Sequence, residues 1–545
     1  IDLPPEIGSR LREYAEDIED AASIRREWKL EDMDLQELAE LEDMLTSVRD
    51  SLKNANELYS MNMKADALGA ETVKYLNKLP AKTKAARFEE KFLGYTNQTP
   101  VYFFKRFGTG GEKVFKSLAD GWEDFAFKAN AIREFAEKLY NSKEVREAEQ
   151  TIVQVQLHDK LANGLTNEET VPVYMTKAQI MCLYGATLRG EAALNHILGA
   201  GIKIMDIKQP RGKDTITQSD NYLTTAEELE SIIKDNLSER EKEIVRGMIK
   251  FMSTTCANWG NAVSQKRWGI NLFTEDSYWP ISTDSRSRDV KSGEAAGSST
   301  SMYRLANMGF TKPLTPGSRN PMVIGSAFDV FANHTSDMAK YGSMVLPILD
   351  AMKWINYSAT METSGTQYTT ASVRKAMDRA YGVDAQNYFV KLMRDLNGSK
   401  EGGRDTNGLE AWTARYKRQA VSGNLRVMLL QPTAYARAGM VIDPKYLVAG
   451  AIGQHEVIKN YREAIANSGT ALWKSMGFYD VNINASMRDL IKNDESAVDK
   501  VVDWTMKGAE LGDQWTWSMI WRACRTEQQD KARKTGEKLT HEELM

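Results

Sequence analysis

"TTAEELESIIKDNLSEREKEIVRGMIKFMSTTCANWGNAV", residues Thr224–Val263, is the stretch that decides the fold class. It contains two helix-start signals, because Glu228 follows Thr225 by three residues and Glu241 follows Ser238 by three. In such a capping box the hydroxyl and the carboxylate each accept a hydrogen bond from the other residue's backbone N–H. The stretch predicts two consecutive helices. The same helical period elsewhere predicts a mainly α protein, built of multi-domain helical bundles with little or no sheet.

The N-terminal region, residues 1–65, carries a heptad pattern with acidic residues beside it. Its apolar positions alternate spacings of three and four over three heptads: Leu38, Leu41, Leu45, Val48, Leu52, Ala55 and Tyr59. Two structures fit this pattern. One is an antiparallel helical hairpin packed on its own chain, which we prefer. The other is an oligomerising coiled coil, for which three heptads are near the minimum.

Further helices and a few strands are predicted along the chain. The helical patterns are Ser117–Gln154, Ser326–Tyr357 and Thr370–Gly398, the last with a turn at Gly382. Pro347 lies inside the second pattern and should kink or break that helix. Strand-like runs are limited to Thr170–Thr176 and Asn424–Pro432, and the second of these fits a buried helical turn equally well.

Clusters of turn residues divide the chain into five segments. The densest cluster of Gly and Ser runs from Ser285 to Ser301 and predicts an exposed, mobile linker. The predicted segments are an acidic helical hairpin (1–65), a helical domain (66–284), a Gly/Ser/Pro-rich linker (285–321), a second helical domain (322–445) and a C-terminal helical region (446–545).

Composition restricts the functions that the whole chain can have. With 42% hydrophobic residues the chain can form substantial cores, and 71 basic against 75 acidic residues give a net charge of −4. A balance so near zero provides no global attraction to nucleic acid or to a membrane surface. The three cysteines are far apart in sequence, and no apolar run is long enough to predict a membrane span. Because the chain begins at Ile1, we expect it to be a piece of a longer protein.

The known catalytic and metal-binding patterns are missing from the sequence. It has no phosphate-binding glycine loop, no dinucleotide fingerprint and no HExxH or GxSxG motif. None of the five histidines lies four residues from another, so a helical metal pair is excluded. His158 beside Asp159 fits half of an acid–base pair, but we prefer to interpret it as a surface helix residue. We therefore expect no catalytic residue, no metal and no cofactor.

Basic and aromatic residues are interleaved between Trp412 and Gly439. Cations for phosphates and flat rings for bases are what a groove along a nucleic-acid backbone requires. On this hypothesis Arg415, Lys417 and Arg418 contact nucleic acid. Arg426 and Arg437 lie among apolar residues and are interpreted as structural. The alternative, which we prefer, is a helix with a solvated basic face followed by a buried apolar stretch.

The stretch "GNAVSQKRWGINLFTEDSYWPISTDSRS", Gly260–Ser287, fits neither a helix nor an alternating strand. It predicts the end of a long helix, a tight turn and an extended segment wedged between helical bodies. The residue before Pro280 is restricted to extended backbone. Four aromatic residues and one proline are assigned structural or interface roles here and near the C-terminus: Trp268, Tyr278, Trp279, Pro280 and Trp521.

Four blocks of this sequence resemble the very large polyvalent proteins of tailed bacteriophages. They are block one (Pro172–Ile202), block two (Gly260–Ile281, with Tyr278-Trp279-Pro280-Ile281), block three (Tyr416–Tyr446, with Asn-Leu-Arg-Val and Gln-Pro-Thr-Ala-Tyr-Ala-Arg-Ala) and block four (Leu511–Glu527). They occur in the expected order, and the resemblance touches most of residues 80–530. The matching part of such proteins is a helical associated region and not one of their enzymatic modules.

The resemblance implies a non-enzymatic protein that is packaged in the phage head and delivered with the DNA into the host cytoplasm. Its partners would be other virion proteins or a second copy of itself, with phage DNA or a host protein as further partners. No catalytic residue is carried over, because the matching positions are Gly, Pro, Asn and aromatic residues. The alternative function is a phage-delivered inhibitor that binds a host defence protein.

Overall fold

The computed structural model describes most of the chain between residues 66 and 536. The described ranges are 66–79, 100–160, 166–207, 215–217, 221–283, 320–363, 367–396, 442–452, 456–469 and 497–536, with single residues at 64, 435, 438, 439 and 472. The predicted mainly α class is confirmed. The heptad pattern of Leu38–Tyr59, the linker at Ser285–Ser301 and the strand-like run at Asn424–Pro432 lie outside these residues.

The elements follow one another in this order. The first part holds α1 (66–77), α2 (Pro100–Lys105), α3 (Gly108–Leu139), α4 (Ser142–Gln150), β1 (Ile152–Lys160), β2 (Thr166–Thr176), α5 (Lys177–Leu188) and α6 (Glu191–Ala200). The middle part holds β3 (Ile202–Ile204), β4 (Tyr222–Leu223), α7 (Ala226–Asn236), α8 (Glu239–Phe251), a π-helix (Met252–Cys256) and α9 (Ala257–Trp268). The last part holds β5 (Met322–Ile324), α10 (Ala327–Asn356), β6 (Ser358–Thr363), β7 (Gln367–Ser372), α11 (Val373–Tyr381), α12 (Val383–Leu396), α13 (Pro444–Ile452), α14 (Val457–Asn467) and α15 (Ala497–Thr535).

The two helices predicted from Thr224–Val263 begin where the capping boxes place them. The Thr225 hydroxyl accepts the N–H of Glu228, whose carboxylate accepts the N–H of Thr225. Ser238 and Glu241 make the same pair of bonds at the start of α8. Each box satisfies backbone donors that the first helical turn leaves without an intrahelical acceptor.

One long helical pattern is divided in the structure. The pattern Ser117–Gln154 predicts a single periodic stretch, but α3 ends at Leu139 and α4 begins at Ser142. Asn141 is extended and caps α4 together with Glu144, and β1 then begins after the extended residue Thr151. The Asn-x-x-Glu signal therefore starts a new helix inside a continuous helical period.

Helix α10 continues through Pro347 as one element, without the break that proline suggested. A proline ring removes one N–H and crowds the carbonyl four residues earlier. That carbonyl, of Ser343, lies against Gly121 of α3, where an added Cβ would come within 2.9 Å of the oxygen. The missing side chain at Gly121 lets the two helices approach closely beside the proline.

The five-stranded sheet has the order β2-β1-β4-β3-β5. All its pairs are antiparallel except β3 with β5. The predicted strand Thr170–Thr176 lies within β2 and is confirmed. Alternate residues on one face are buried, including Val155, Leu157, Val173 and Met175, and they join the first core with α5. Helix α5 is buried at every position from residue 178 to 186, as expected of a helix that is apolar all round.

Helices α3 and α10 connect two hydrophobic cores. The first core surrounds α5 and the sheet, and the second core contains Phe104 of α2. Helix α3 places Leu118 in the second core and Ile132 in the first, whereas α10 places Phe328 in the first and Trp354 in the second. The two helices therefore run in opposite directions past both cores. Residues 322–396 share these cores with residues 66–283, so the predicted domains 66–284 and 322–445 are not packed separately within the described ranges.

The C-terminal helices form a smaller third core. Helices α13 and α14 both pack on α15, around Ile442, Tyr446 and Ala523. Arg525 of α15 is bonded to Glu463 of α14 at 2.8 Å. Just after α14, Gly469 lies against the backbone of Glu123 in α3, so this group of helices touches the main body there.

Candidate functional site

The candidate site is the strap, which we define as residues 270–283 after α9. Helix α9 ends at Trp268, and Gly269 reverses the chain with a φ of +75°. The strap then runs without a regular helix or ladder until Thr283, which forms a single antiparallel bridge with Met322. This is the helix end, turn and extended segment that the sequence predicts for the stretch.

Side chains of α9 hold the first half of the strap. The Asn261 amide donates to the carbonyl of Phe273 at 2.9 Å and accepts the N–H of the same residue at 2.9 Å. The Ser264 hydroxyl donates to the carbonyl of Ile270 at 2.8 Å. These bonds replace the ladder that an extended segment normally needs for its backbone groups.

Trp279 anchors the second half of the strap in the first core, with 0% of its surface exposed. Its indole lies on Gly185 of α5, where an added Cβ would be only 2.6 Å from the ring. Burial raises the pKa of the neighbouring Cys182 thiol to about 11, although the nearby Trp279 indole and the backbone of Gly325 oppose the shift. The contact between Gly185 and Trp279 therefore joins block one to block two.

Arg189, just after α5, holds the strap in place through three hydrogen bonds. Its guanidinium donates two parallel hydrogen bonds to Glu275, both of 2.9 Å, and a third of 3.1 Å to the carbonyl of Trp279. The Arg189 side chain is 10% exposed, whereas that of Glu275 is 50% exposed. A bidentate pair with one desolvated partner fixes orientation as well as adding energy.

Tyr278 lies close to both Arg189 and His334. The guanidinium carbon is 4.9 Å from the centre of the Tyr278 ring, within cation–π range. The His334 ring of α10 lies 5.0 Å from the same ring. The N–H of Tyr278 donates to the hydroxyl of Ser253 at 2.9 Å, and Ser253 belongs to the π-helix. Insertions of this kind in a helix occur often at functional sites.

Burial sets the protonation of the residues beneath the strap. It lowers the pKa of His334 to about 3, assisted by the charge of Arg189. It raises the pKa of Tyr278 to about 12, although Arg189 acts in the opposite direction. Burial also raises the pKa of Cys256 in the π-helix. At neutral pH the imidazole, phenol and thiol are therefore uncharged, and the Arg189–Glu275 pair supplies the charge of the site.

The other predicted site residues are distributed widely. Pro280 follows Trp279 in the strap and is partly buried, and Trp521 is partly buried in α15. Trp268 ends α9, but its side chain lies outside the described parts of the structure. So do five residues of the basic and aromatic segment: Arg415, Lys417, Arg418, Arg426 and Arg437.

Sequence reasoning missed Arg189, His334 and Ser253. Arg189 stands between a leucine and a glycine inside block one, where it is indistinguishable from a surface arginine. Its hydrogen-bond acceptors, Glu275 and the Trp279 carbonyl, lie 86 and 90 positions further along the chain. A signal for such distant pairing is not present in local spacing.

His158 is placed differently from the prediction. It lies on β1, not on a surface helix, and its Nε2 is 3.0 Å from a carboxylate oxygen of Glu228. Burial favours the neutral acid, but hydrogen bonds from Thr225 and His158 lower the pKa of Glu228 overall. The Glu228 carboxylate thus caps α7 and ties that helix to the sheet.

Blocks three and four also meet, at α13. The Tyr435 hydroxyl of block three donates to the carbonyl of Leu447. On the same helix, an added Cβ at Gly450 would lie 2.5 Å from the carbonyl of Met519 in block four and 2.8 Å from the Tyr435 oxygen. Ile442 and Tyr446 of block three also share the third core with Ala523 of block four. Among the described residues, block one therefore contacts block two, and block three contacts block four.

Three general findings concern the described ranges. All three cysteines are free. Within those ranges no group of three or more His, Cys, Asp or Glu side chains is placed to hold a metal ion. None of the helices there combines the length and the apolar character that a bilayer crossing requires.

No family model, curated protein or solved structure matches this chain.

Proposed function

We propose that this chain is a non-enzymatic helical region of a phage polyvalent protein, packaged in the virion and delivered with the DNA. The observation that carries the proposal is the pairing of the four blocks on which the resemblance rests. Gly185 and Trp279 pack together from blocks one and two. Ile442 and Tyr446 of block three share the third core with Ala523 of block four. The contact within each pair supports a structural role for the blocks.

The residue types in these contacts support a scaffold role. Gly185 and Gly450 provide close approach, Trp279 provides buried area, and Arg189 provides a bidentate clamp. Glycine at a contact of this kind excludes a side chain that would otherwise separate two elements. The chain then acts through protein–protein contacts, first inside the capsid and afterwards in the host cytoplasm.

The test is mass spectrometry of the phage that encodes the chain. Peptides of residues 1–545 should be found in virions purified on a density gradient. They should also be found in infected cells in which new protein synthesis is blocked, because delivered protein needs no synthesis. A phage protein made only after infection serves as the control and should be missing from both samples. Detection of the chain only after new synthesis would overturn the proposal.

The mass of the isolated protein separates this proposal from the alternative inhibitor. A discrete oligomer is expected of a virion assembly protein. A monomer that forms a one-to-one complex with a single purified host defence protein would establish the inhibitor instead.

Contact with DNA through Arg415, Lys417 and Arg418 is a further part of the proposal. Since the net charge is −4, binding has to be local, independent of sequence and steeply dependent on salt. Replacing all three residues by Ala should reduce the log–log salt slope by about 0.9 for each lost phosphate contact on duplex DNA. A salt titration with a random duplex measures this slope. Undetectable binding of the unaltered protein at low salt would remove DNA from its partners.

A further inference from the structure

The β6–β7 hairpin is a two-stranded ribbon separate from the five-stranded sheet. It joins α10 to α11, with Ser358 opposite Ser372 at its base and Thr363 opposite Gln367 near its tip. An isolated two-stranded ribbon is only marginally stable in water and gains stability from a further strand or from packing. Within the described ranges no other strand pairs with β6 or β7.

The hydrogen bonding at the base determines which backbone groups point outward. The N–H of Val373 donates to the carbonyl of Tyr357 at 3.2 Å, across the two chains of the ribbon. Inward and outward groups alternate along an antiparallel pair. With this register the N–H groups of Thr360 and Glu362 point outward from β6, and those of Tyr368 and Thr370 point outward from β7.

The ribbon lacks the residues that commonly protect exposed strand edges. Natural edges are blunted by lysine, proline, bulges or inward charges. The sequences of β6 and β7, SATMET and QYTTAS, contain neither Lys nor Pro, and Glu362 is their single charged residue. Strand β7 has no charge at all and is rich in the threonine and tyrosine that favour strands.

The other sheet of this chain offers no matching open edge in its described part. At one side, the N–H of Val323 in β5 already donates to the carbonyl of Ser282 at 2.8 Å. At the other side, β2 contains Pro172 opposite Gln156. The N–H of Lys177, five residues on, donates toward β1, so Pro172 occupies an outward position where no N–H exists. Among the strand edges that the structure describes, the one that fits an uncharged ribbon is therefore that of another copy of the ribbon.

We propose that β7 pairs antiparallel with β7 of a second copy about a two-fold axis, forming a four-stranded sheet β6-β7-β7-β6. The β7 edge is favoured over the β6 edge because pairing through β6 would bring the Glu362 residues of two copies together. A symmetric edge pairing is self-complementary and closes at two copies. The role of this dimer rests on the proposed function, because assembly in the virion needs contacts between protein chains.

Two matched proline variants of the full chain test the pairing. Thr370→Pro removes an outward N–H from β7, and Thr360→Pro removes the equivalent group from β6, while both leave the inner ladder intact. Light scattering during gel filtration should show a dimer for the unaltered protein and for Thr360→Pro. Thr370→Pro should remain monomeric at tenfold higher concentration. Helix content by circular dichroism should be equal in all three.

Hydrogen exchange provides a second measurement without a variant. The amides of Tyr368 and Thr370 should be protected only at concentrations at which the dimer forms, and those of Thr360 and Glu362 at none. The inference is overturned if the unaltered protein is a monomer, or if Thr370→Pro dimerises as before. It is also overturned if both prolines disrupt the dimer equally. Detection of the chain in virions by mass spectrometry does not depend on these results, so failure of the β7 pairing and failure of virion packaging are distinguishable.

Discussion

The strap and the β6–β7 hairpin are both non-helical links between helices, but they satisfy their backbone groups in opposite ways. The backbone of the strap is hydrogen-bonded to side chains of the body: it accepts from Asn261 and Arg189 and donates to Ser253. The hairpin pairs with itself and leaves its outer edges open within the described ranges. A segment whose backbone groups are hydrogen-bonded by side chains of the body becomes part of its core. A hairpin whose two strands bond each other keeps outward backbone groups that another chain can pair with.

Trp279→Ala should produce the largest difference between the two regions. Removing this fully buried indole is expected to lower the free energy of unfolding by about 3–5 kcal/mol. Tyr174→Ala is the matched control, because Tyr174 is an aromatic residue with 42% of its surface exposed. Urea unfolding followed by circular dichroism measures both. An unchanged midpoint for Trp279→Ala would show that the strap is not anchored in the core.

Acid should weaken the strap region through His334. The pKa of this histidine is about 3 in the folded protein, whereas an unfolded histidine titrates near pH 6.5. Below about pH 6.5 the unfolded chain binds a proton that the folded chain excludes, so stability falls as the pH falls toward 3. The loss is expected to reach about 2–3 kcal/mol at roughly pH 4.5.

The variant His334→Gln removes this contribution and provides the comparison. Urea unfolding of both proteins between about pH 7.5 and 4.5 should show a shallower pH dependence for the variant. Equal slopes would mean that the His334 ring is accessible to protons in the folded protein.

Gly185→Ala should be destabilising by about 1–3 kcal/mol, because the new Cβ would lie 2.6 Å from the Trp279 ring. Gly199→Ala is a close control: it is also in a helix, α6, but no atom lies within 4 Å of the added Cβ. The control should be neutral or stabilising by up to about 1 kcal/mol. Equal effects of the two substitutions on the melting temperature would contradict the close contact.

Thr360→Pro in the hairpin should have the smallest effect. Its N–H points outward and makes no bond in the ladder, so the stability of the chain should change by less than about 0.5 kcal/mol. Thermal unfolding compared with Thr360→Ala isolates the effect of the missing N–H. A loss as large as that of Gly185→Ala would show that the outer edge of β6 is bonded to the body.

The sequence predicted helix starts, turns and one strand correctly where the signal comes from residues a few positions apart. The capping boxes at Thr225 and Ser238, the turn at Gly382 and the strand within β2 are all found in the structure. The prediction of one continuous helical stretch was wrong at Asn141, where a capping box starts a new helix inside the helical period. Short strands such as β3 and β5, of three residues each, carry too few residues to show any period.

The site was predictable only in part, for a related reason. Tyr278 and Trp279 were singled out because two large aromatic residues before a proline are conspicuous in any sequence. Arg189 and His334 were not, because their importance arises from contacts with residues far along the chain. Distant contacts depend on how α5, α10 and the strap pack, and hydrophobic packing is not directional enough to be read from spacing.

By itself, the sequence determined the mainly α class, the helix starts and the unusual character of Gly260–Ile281, because caps, periods and prolines act over a few residues. Only the tertiary structure decided that residues 66–283 and 322–396 share two cores, and that a proline within α10 is accommodated beside Gly121. It also decided that Arg189 donates hydrogen bonds to the Trp279 carbonyl and to Glu275. These features depend on burial and close approach between distant segments, and a side chain acquires them only when the whole chain has packed.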